Sequence, residues 1–411
     1  MNYYKPTTLL QKFEKLIQIH WLYCRARFKR TPPAPSRRNI SVLMVVPHAD
    51  RVGGYERQAW QLAAAITKQG GLVEMLTERI SRMPSRELRG GFVVFRVPFR
   101  LPPGPAALFL RSVIFLLQHS RRVHILHAHG VTGFSLLAVR VARLLHKPVL
   151  LKPATHGDLQ DVFAGGALKR RIYRRWIRQA DCLIAISEEM KEEMLACGIS
   201  EKQIRRIPNF VDTNRYVCAS PERKASLRSR RGIPGGELVF LYLGRLEERK
   251  GVDHLLRAWQ RMQGGLLWIV GSGPEEEKLQ TVSRDLNLKN VVFHGTASAP
   301  LDFYQCADVL VFPSLREGSP NVLLEAMSCG LPCVATEIGG VTDLVRHDVD
   351  GFLVPPGSPE ALAKAMEYAA SHPADRKRWG EQAARLIRER FDVSRILTEY
   401  TDLYSELIKR C

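Results

Sequence analysis

The stretch "PSLREGSPNVLLEAMSCGLP" (residues 313–332) carries the clearest local signals in the chain. Ser319 is a preferred helix N-cap residue, and Pro320 suits the first helical position. Gly330 and the nearby Pro332 are typical of a helix end. The stretch therefore predicts a helix of about ten residues, about 15 Å long at a rise of about 1.5 Å per residue.

Two carboxylates flank the start of this predicted helix. Glu317 lies in the loop just before it, and Glu325 lies inside it. The unpaired amides of the first turn and the positive end of the helix dipole form an anion site between the two side chains. We therefore predict a place suited to phosphate at this helix start.

Apolar runs typical of buried strands continue outward on both sides and alternate with helical runs. They are residues 40–48, 91–98, 123–129, 148–156 and 181–187 in the first half, and 238–244, the start of 266–286, 291–295, 307–314, 332–337 and 351–357 in the second. This alternation predicts parallel sheets covered by helices on both faces. Because 411 residues are too many for one ordinary core, we predict two doubly wound α/β domains.

Composition sets the predicted domain boundaries. A basic arm with a Pro-rich linker covers residues 1–39, a first Rossmann-like domain covers 40–218, and a polar linker covers 219–236. A second Rossmann-like domain covers 237–390, and the last helix, 391–411, could cross back to the first domain. The two domains would face a central cleft at the carboxyl ends of both sheets, where such folds bind ligands.

The chain is strongly basic. Its 61 Lys and Arg residues against 41 Asp and Glu residues give a net charge of +20 and a pI near 9.9. Such a balance favours anionic partners: nucleic acid, a phospholipid surface or a nucleotide-linked substrate. The 8 cysteines are scattered without a C-x-x-C pair, which favours small buried side chains in a reduced cytoplasmic compartment over a metal site.

Two basic segments have two interpretations each. Residues 1–40 contain an amphipathic pattern without the apolar run of a signal peptide, and no stretch is apolar enough for a transmembrane helix. This arm is either an interfacial helix on an anionic membrane or a solvated helix or frayed tail. The cluster "KRRIYRRWIR" (169–178) either faces a lipid-linked acceptor on such a membrane or is a solvated helical face.

The motifs of the second half resemble those of glycosyltransferase family 4, retaining nucleotide-sugar transferases of the GT-B fold. They are "LGRLEERKG" (243–251), "VGSGPEEEKL" (270–279), "FHG" (293–295), "PSLREGSPNVLLEAMSCGLPCVAT" (313–336) and "DGFLVPPG" (350–357). Weaker marks similar to the family's N-domain are "RVGGYERQAWQLA" (51–63), "HAHG" (127–130), "ATHGD" (154–158) and "RIPNFVD" (206–212). The resemblance covers roughly residues 40–405 and implies two Rossmann-like domains facing a cleft.

The resemblance implies that Glu317 and Glu325 contact the donor. Glu317 would bond the hydroxyls of the transferred sugar and is the predicted catalytic carboxylate, while Glu325 would bond the ribose. A carboxylate accepts two such bonds, and its charge strengthens them. The amides of Gly318, Ser319 and Asn321 would hold the diphosphate.

Cations and glycines complete the donor site that the resemblance implies. Arg245 and Lys250 resemble the family's phosphate-binding residues and would neutralise charge on the leaving diphosphate. Gly53 and Gly54 would let backbone amides approach the diphosphate from the first domain. His156 matches the family's N-domain histidine near the sugar and is predicted to orient or stabilise it.

The family transfers its sugar with retention of configuration. The usual account is attack on the same face, in which the departing phosphate oxygen helps to deprotonate the acceptor hydroxyl. Acceptor choice stays open here, because "KPATHGD" and "NFVD" are looser than in many members, which show "NG" at the position of Phe210.

Three further motifs have structural alternatives. "VGSGPE" is either a tight turn with a helix cap or a wall of the nucleotide site. His127 and His129 share one face of a predicted strand, where core or cleft-wall histidines are expected rather than metal ligands. "DVD" (348–350) imitates an Asp-x-Asp metal motif but precedes Gly351 in a polar turn. No divalent metal is therefore predicted.

The sequence as a whole predicts a hexosyltransferase-like enzyme. It would move a sugar from a nucleotide-diphosphate sugar to a glycan or lipid-linked acceptor, in cell-surface polysaccharide or glycolipid synthesis. A UDP-sugar is favoured over a GDP-sugar, no cofactor is predicted, and the expected location is cytoplasmic, with peripheral attachment to the inner face of the membrane.

Two other classes of function were weighed. An epimerase or phosphorylase of the same architecture is disfavoured by the continuous "REGSPNVLLEAM" motif. A basic protein that binds nucleic acid or anionic lipid would suit the charge. Nucleic acid is not expected as a partner, however, because the aromatic residues do not interleave with the basic runs.

Overall fold

The computed structural model describes residues 39–50, 53–79, 83–98, 106–154, 157–164, 166–297 and 299–410. The predicted basic arm lies outside the described residues, apart from Asn39. The described elements form two α/β units, each built on a mainly parallel sheet. The predicted fold class is confirmed.

The first sheet contains eight strands. They are β1 (Ser41–Val45), β2 (Leu72–Glu78), β3 (Arg86–Arg89), β4 (Phe92–Val97), β5 (Ile125–His129), β6 (Val149–Lys152), β7 (Cys182–Ala185) and β8 (Ile204–Arg206). Their order is β3-β4-β2-β1-β5-β6-β7-β8, and only β3 and β4 pair antiparallel. Every residue of β1, β5, β6 and β7 is buried, because helices cover both faces.

The second sheet contains six strands, all parallel. They are β9 (Val239–Leu243), β10 (Leu266–Val270), β11 (Val291–Gly295), β12 (Val309–Phe312), β13 (Cys333–Thr336) and β14 (Gly351–Val354). Their order is β11-β10-β9-β12-β13-β14. The order turns back between β9 and β12, and this is the point at which open parallel sheets bind ligands.

Helices connect the strands of each sheet. Those of the first unit are α1 (Gly54–Lys68), α2 (Ala106–Ser120), α3 (Gly133–Leu144), α4 (Asp158–Ala164), α5 (Ala167–Ile177) and α6 (Glu188–Ala196). Those that follow are α7 (Pro221–Arg230), α8 (Val252–Trp259), α9 (Glu276–Asp285), α10 (Leu301–Cys306), α11 (Asn321–Ser328), α12 (Gly339–Thr342), α13 (Pro359–Ser371), α14 (Pro373–Arg390) and α15 (Val393–Arg410). No helix of the described residues is both long and apolar enough to span a membrane.

The stretch 219–236, predicted as a linker, is instead part of the second unit. It contains α7, which Ser220 caps by accepting a bond from the amide of Arg223. Leu227 is buried in the core of the second sheet. Arg228 pairs with Asp308, with 2.9 Å between Nη1 and Oδ2. The polar composition did not indicate this helix, because its contacts with the second unit come from one buried leucine and a partly buried ion pair.

The last helix, α15, packs on the first sheet rather than the second. Its apolar side chains belong to the same buried cluster as β1 and β5: Ile396, Leu397, Tyr400, Leu403, Tyr404 and Leu407. The hydroxyl of Tyr404 lies 2.8 Å from Nδ1 of His127 on β5. The end of the chain therefore completes the core of the first unit.

Candidate active site

The candidate site lies where loops from the carboxyl ends of both sheets meet. The loop after β9 carries Lys250, and the loop after β12 carries Glu317; these two side chains form an ion pair. From the first unit, the start of α1 approaches α11, and the Asn321 amide Nδ2 donates to the carbonyl oxygen of Gly54 at 2.9 Å. The structure thus brings predicted residues from three separate segments together.

Glu317 is a nearly buried carboxylate held by cations. Its side chain is 8% exposed, and Lys250, 15% exposed, donates a short hydrogen bond from Nζ to Oε1. Arg249 lies on the other side, with 3.8 Å between Nη1 and Oε2. Because water is largely excluded here, these charges interact more strongly than a surface pair would.

A glycine brings the two loops into contact. Gly251 has a φ of 66°, and a Cβ there would lie 2.1 Å from the carbonyl oxygen of Pro313. Only glycine therefore fits after Lys250. Arg245 in the same loop is 62% exposed and lies 2.9 Å from Glu247, so its guanidinium can turn to a ligand at little cost.

The start of α11 differs from its prediction. The helix begins at Asn321 and has 8 residues rather than about ten; Pro320, not Ser319, holds the cap position. The backbone of Pro320 is extended, with φ −75° and ψ 114°, and no side chain caps the helix. Ser319 Oγ is buried without a hydrogen-bond partner among the described residues. The cap residue therefore does not compete with a ligand for the first-turn amides.

Gly318 and Gly330 lie on either side of α11 at tight backbone contacts. The carbonyl oxygen of Gly318 lies 2.4 Å from where a Cβ of Gly340 would stand. Gly330 ends the helix with a φ of 71°, as predicted for a glycine stop. The segment from Glu317 to the helix is thus held close to the next loop.

Glu325 is buried in a network that the sequence did not indicate. It is 2% exposed, and Oε2 accepts a bond of 2.9 Å from the hydroxyl of Tyr304. Oε1 accepts a bond of 3.0 Å from Nη1 of Arg57, which lies on α1 of the first unit. Burial, together with the charge of Glu325, raises the pKa of Tyr216 to about 12 and that of Tyr304 well above its ordinary value. Both tyrosines therefore stay neutral donors at physiological pH.

Asn209 joins the first unit to the start of α11. Its Nδ2 donates to the carbonyl oxygen of Ser319 at 2.8 Å and to Oδ1 of Asn321 at 3.1 Å. Its Oδ1 accepts a bond of 3.1 Å from Nζ of Lys152 at the end of β6. A continuous set of hydrogen bonds therefore runs from the first core to the predicted diphosphate site.

A buried ion pair holds the loop between β1 and α1, which leads to Gly53 and Gly54. Arg96 on β4 is fully buried and bonds Asp50 through two nitrogens, at 2.7 Å and 2.9 Å. It also lies 2.8 Å from Glu87 on β3. The loop's position thus depends on a strand outside the site.

His156 lies outside the described residues, so its predicted role stays a prediction. Its neighbour Gly157 has a φ of +89°, and its amide donates to Glu193 Oε2 at 2.8 Å. A Cβ at Gly157 would lie 2.6 Å from Nη2 of Arg316. Gly157 therefore lies next to Arg316, the residue just before Glu317.

The two histidines of "HAHG" lie in the first core. His127 and His129 are buried, with ring centroids 4.1 Å apart. Burial and the nearby Lys152 ammonium lower the pKa of His127 to about 3. Within the described residues, no group of three His, Cys, Asp or Glu side chains could hold a metal ion. In "DVD", Asp350 is fully buried against Arg346, which makes its role structural.

The stability of the fold should depend on the titration of Lys152. Burial lowers the pKa of its ammonium to about 7. Above that pH the unfolded chain binds this proton more tightly than the native state, so folding is favoured as pH rises towards about 10. In urea unfolding, wild type should gain stability relative to Lys152→Met between about pH 7 and about pH 10. If the stability of wild type relative to Lys152→Met stays constant or falls over this range, the lowered pKa of Lys152 is contradicted.

Sequence reasoning missed the side chains that cross between the units. Arg57 and Arg316 lie inside the quoted segments 51–63 and 313–336 but were not singled out, and Tyr304 lies in no quoted motif, since the roles of all three come from tertiary contacts. Asn209 lies inside the quoted "RIPNFVD" segment, so its position could have been singled out there. Its bond to Lys152 could not have been predicted, because 57 positions separate the two residues.

Comparison with known proteins agrees with this geometry. Residues 52–215 match the family model described as Glycosyltransferase Family 4, and residues 223–386 match the model described as Glycosyl transferases group 1. The chain is 23% identical over 315 residues to N-acetyl-alpha-D-glucosaminyl L-malate synthase of Bacillus anthracis, covering 76% of this chain and 81% of that protein. It is 30% identical over 234 residues to the lipopolysaccharide core biosynthesis glycosyltransferase LpsE of Rhizobium meliloti, covering 57% of this chain and 65% of that protein.

Solved structures share the fold. The complex of Anabaena Alr3699/HepE with UDP-glucose superposes with a TM-score of 0.75 at 21% identity, over 89% of this chain and all of that one (100%). Sucrose-phosphate synthase of Thermosynechococcus elongatus gives a TM-score of 0.77 at 23% identity, over 90% and 100%. The two family models together span both sheets, and the chain therefore belongs to the group 1 glycosyltransferases of family 4, with the GT-B fold.

Proposed function

We propose that this glycosyltransferase moves a sugar from a nucleotide-diphosphate sugar to a glycan or lipid-linked acceptor, with retention of configuration. The observation that carries the proposal is the nearly buried Glu317–Lys250 pair beside the uncapped start of α11. A carboxylate suited to sugar hydroxyls and a cation suited to phosphate lie next to open backbone amides. A basic binding protein would leave this combination unexplained, and the continuous "REGSPNVLLEAM" motif disfavours an epimerase.

The diphosphate is assigned to the start of α11. The amides of Gly318, Ser319 and Asn321 would bind its oxygens, and Arg245 and Lys250 would neutralise its charge. Gly53 and Gly54 at the start of α1 would supply contacts from the first unit. Lys250 now bonds Glu317; with a diphosphate present, it would share its three protons between both anions.

The sugar and the ribose are assigned to the two glutamates. Glu317 would accept bonds from the hydroxyls of the transferred sugar, and His156 would orient or stabilise that sugar. Glu325 would accept a ribose hydroxyl with lone pairs not used by Arg57 and Tyr304. In the transfer itself, the bond from the anomeric carbon to the phosphate oxygen breaks. The acceptor oxygen bonds the same face, and its proton passes to the departing phosphate oxygen.

The donor base and the acceptor class are inferred from relatives. HepE was solved with UDP and with UDP-glucose, which favours a uridine nucleotide here. Relatives named for lipopolysaccharide core and teichuronic acid synthesis favour a cell-surface glycan or glycolipid as acceptor. We propose no metal cofactor, since Arg245 and Lys250 supply the counter-charge; full activity in a chelator tests this.

A peripheral membrane location on the cytoplasmic side is also proposed. Several arginines are exposed on and just after α5: Arg170, Arg171, Arg174, Arg175 and Arg178. Together they form a basic face that anionic lipid headgroups would attract. A solvated helical face remains the alternative, and sedimentation with anionic vesicles distinguishes the two.

Nucleotide binding tests the proposed function directly. UDP, GDP, ADP and dTDP are added separately to metal-free protein, and thermal unfolding is followed. A nucleotide at about 100 times its Kd should stabilise wild type by about 2.7 kcal/mol. The variant Arg245→Ala/Lys250→Ala should lose this stabilisation, because both cations of the diphosphate site are gone.

The control is a variant that lacks two exposed cations of the second unit outside the proposed diphosphate site. Arg257→Ala/Lys364→Ala changes side chains of α8 and α13 and should keep the wild-type response. If no nucleotide stabilises wild type while RNA or anionic vesicles do, the proposal fails and the basic binding protein is the better description.

A further inference from the structure

Lys152 is a buried cation that the proposed mechanism does not use. It ends β6, is 4% exposed, and its Nζ lies 5.7 Å from the ring centroid of Tyr400 on α15. Its one hydrogen bond to a described residue goes to Oδ1 of Asn209. Burying an ammonium beside a neutral amide oxygen is costly, which points to a role for this bond.

The bond fixes the orientation of the Asn209 side chain. Below its pKa of about 7, the Lys152 side chain is an ammonium with three donors and no acceptor, so only the oxygen of the Asn209 amide can face it. The amide nitrogen must then point the other way, where the Ser319 carbonyl, which can only accept, lies 2.8 Å away. A rotated amide would place its NH₂ group against the ammonium and its oxygen against a carbonyl.

The same argument fixes the orientation of the Asn321 amide, which bonds to the first unit. Asn321 accepts from Asn209 at Oδ1, so its own nitrogen is directed to the carbonyl oxygen of Gly54. The chain of bonds therefore begins at a group that only donates and ends at one that only accepts. Each amide between them has a single satisfied orientation. Ser319, Asn321 and Gly54 are also the residues assigned to the diphosphate.

We propose that Lys152 is a positioning residue of the donor site: through Asn209 it sets the segment that leads into α11 against the start of α1. This inference rests on the proposed function, because the site it positions is the proposed diphosphate site. Lys152 touches no substrate. It acts across the interface between the two units by fixing the polarity of two amides.

The test compares two lysines of the first unit. Lys152→Met removes the ammonium but keeps most of the length of the side chain, so Asn209 loses the donor that orients it. One lost buried hydrogen bond is expected to weaken the affinity for UDP by about 5–150-fold, measured by calorimetry below pH 7, where Lys152 is protonated. Lys147→Met is the control. It removes a hydrogen bond from Nζ to the carbonyl oxygen of Val123, just before β5. Its affinity for UDP should be unchanged.

A second variant separates positioning from folding. Asn209→Asp keeps an acceptor for Lys152 but loses the donor to Ser319, so it should weaken UDP binding to a similar degree. In the double variant Lys152→Met/Asn209→Asp the two effects should not add, because both break the same chain. This pattern would not arise from a merely structural role, which would lower the melting temperature and leave the affinity unchanged.

The other outcomes distinguish failure of this inference from failure of the proposed function. If wild type binds UDP, and Lys152→Met binds it equally well, the inference fails while the proposed function stands. If Lys152→Met does not fold, Asn209→Asp with wild-type affinity overturns the inference. If wild type binds neither UDP nor any other nucleoside diphosphate, the proposed function fails and this inference with it.

Discussion

Glu317→Gln is expected to lower donor turnover by about 10²–10³-fold, the loss typical when one positioned electrostatic group is removed from an active site. The carboxylate is 8% exposed and faces Lys250, so the glutamine keeps the shape and removes the charge. A carboxamide accepts weaker bonds from sugar hydroxyls than a carboxylate does. Affinity for UDP alone should be retained or increased, because Lys250 no longer shares its protons with a carboxylate.

The measurement separates turnover from nucleotide binding. Release of UDP from the nucleotide sugar that wild type hydrolyses fastest gives kcat, and calorimetry with UDP gives Kd. Glu360→Gln is the matched control, since Glu360 pairs with Arg261 but is 56% exposed, and it should behave as wild type. A Glu317→Gln enzyme within threefold of wild-type kcat would contradict the catalytic assignment.

Arg96→Met is expected to destabilise the protein by about 3–5 kcal/mol, the usual cost of breaking one side of a buried ion pair. Arg96 is fully buried and bonds both Asp50 and Glu87. Methionine fills much of the same volume but leaves the Asp50 carboxylate, which is 6% exposed, without its partner. The loop that leads to Gly53 and Gly54 would lose its anchor.

Urea unfolding measures the loss of stability. Repeating it with UDP measures whether the loss of the ion pair also affects nucleotide binding. Arg143→Met is the control, because Arg143 is 49% exposed in its pair with Asp181 and should cost less than about 1 kcal/mol. An equal small loss in both variants would mean that the buried pair contributes no more than a surface pair.

The sequence indicates strands that are buried on both faces, such as β1, and the edge strands β11 and β14, but it misses the interior strand β2 and the edge strands β3 and β8. β1 is an unbroken apolar run, so its burial follows from composition. β3, "RELR", has the burial pattern of an exposed edge strand and no apolar period to detect. The helix α7 was missed for a related reason, since a single buried leucine does not make a pattern.

For the candidate site, the sequence identified the residues that motifs carry. Glu317 and Lys250 form the ion pair that the spacing of the two loops allows. The partners of Glu325 and Asn209 could not be predicted, because they come from the other unit and from strands far along the chain. Local spacing indicates which groups could bind a ligand; only the packing of the two units decides which of them are already bonded to protein.

The docking of α15 on the first sheet has a consequence for how the chain folds as it is made. Tyr400, Tyr404 and Leu407 help to fill the first core, yet they follow the whole second unit in the sequence and leave the ribosome after it. The first unit is therefore synthesised early with part of its core uncovered. This apolar surface stays exposed until the second unit and then α15 have been synthesised. Nascent chains of this length are where exposed apolar surface favours aggregation, so early termination near the end of the chain should damage the unit at its beginning.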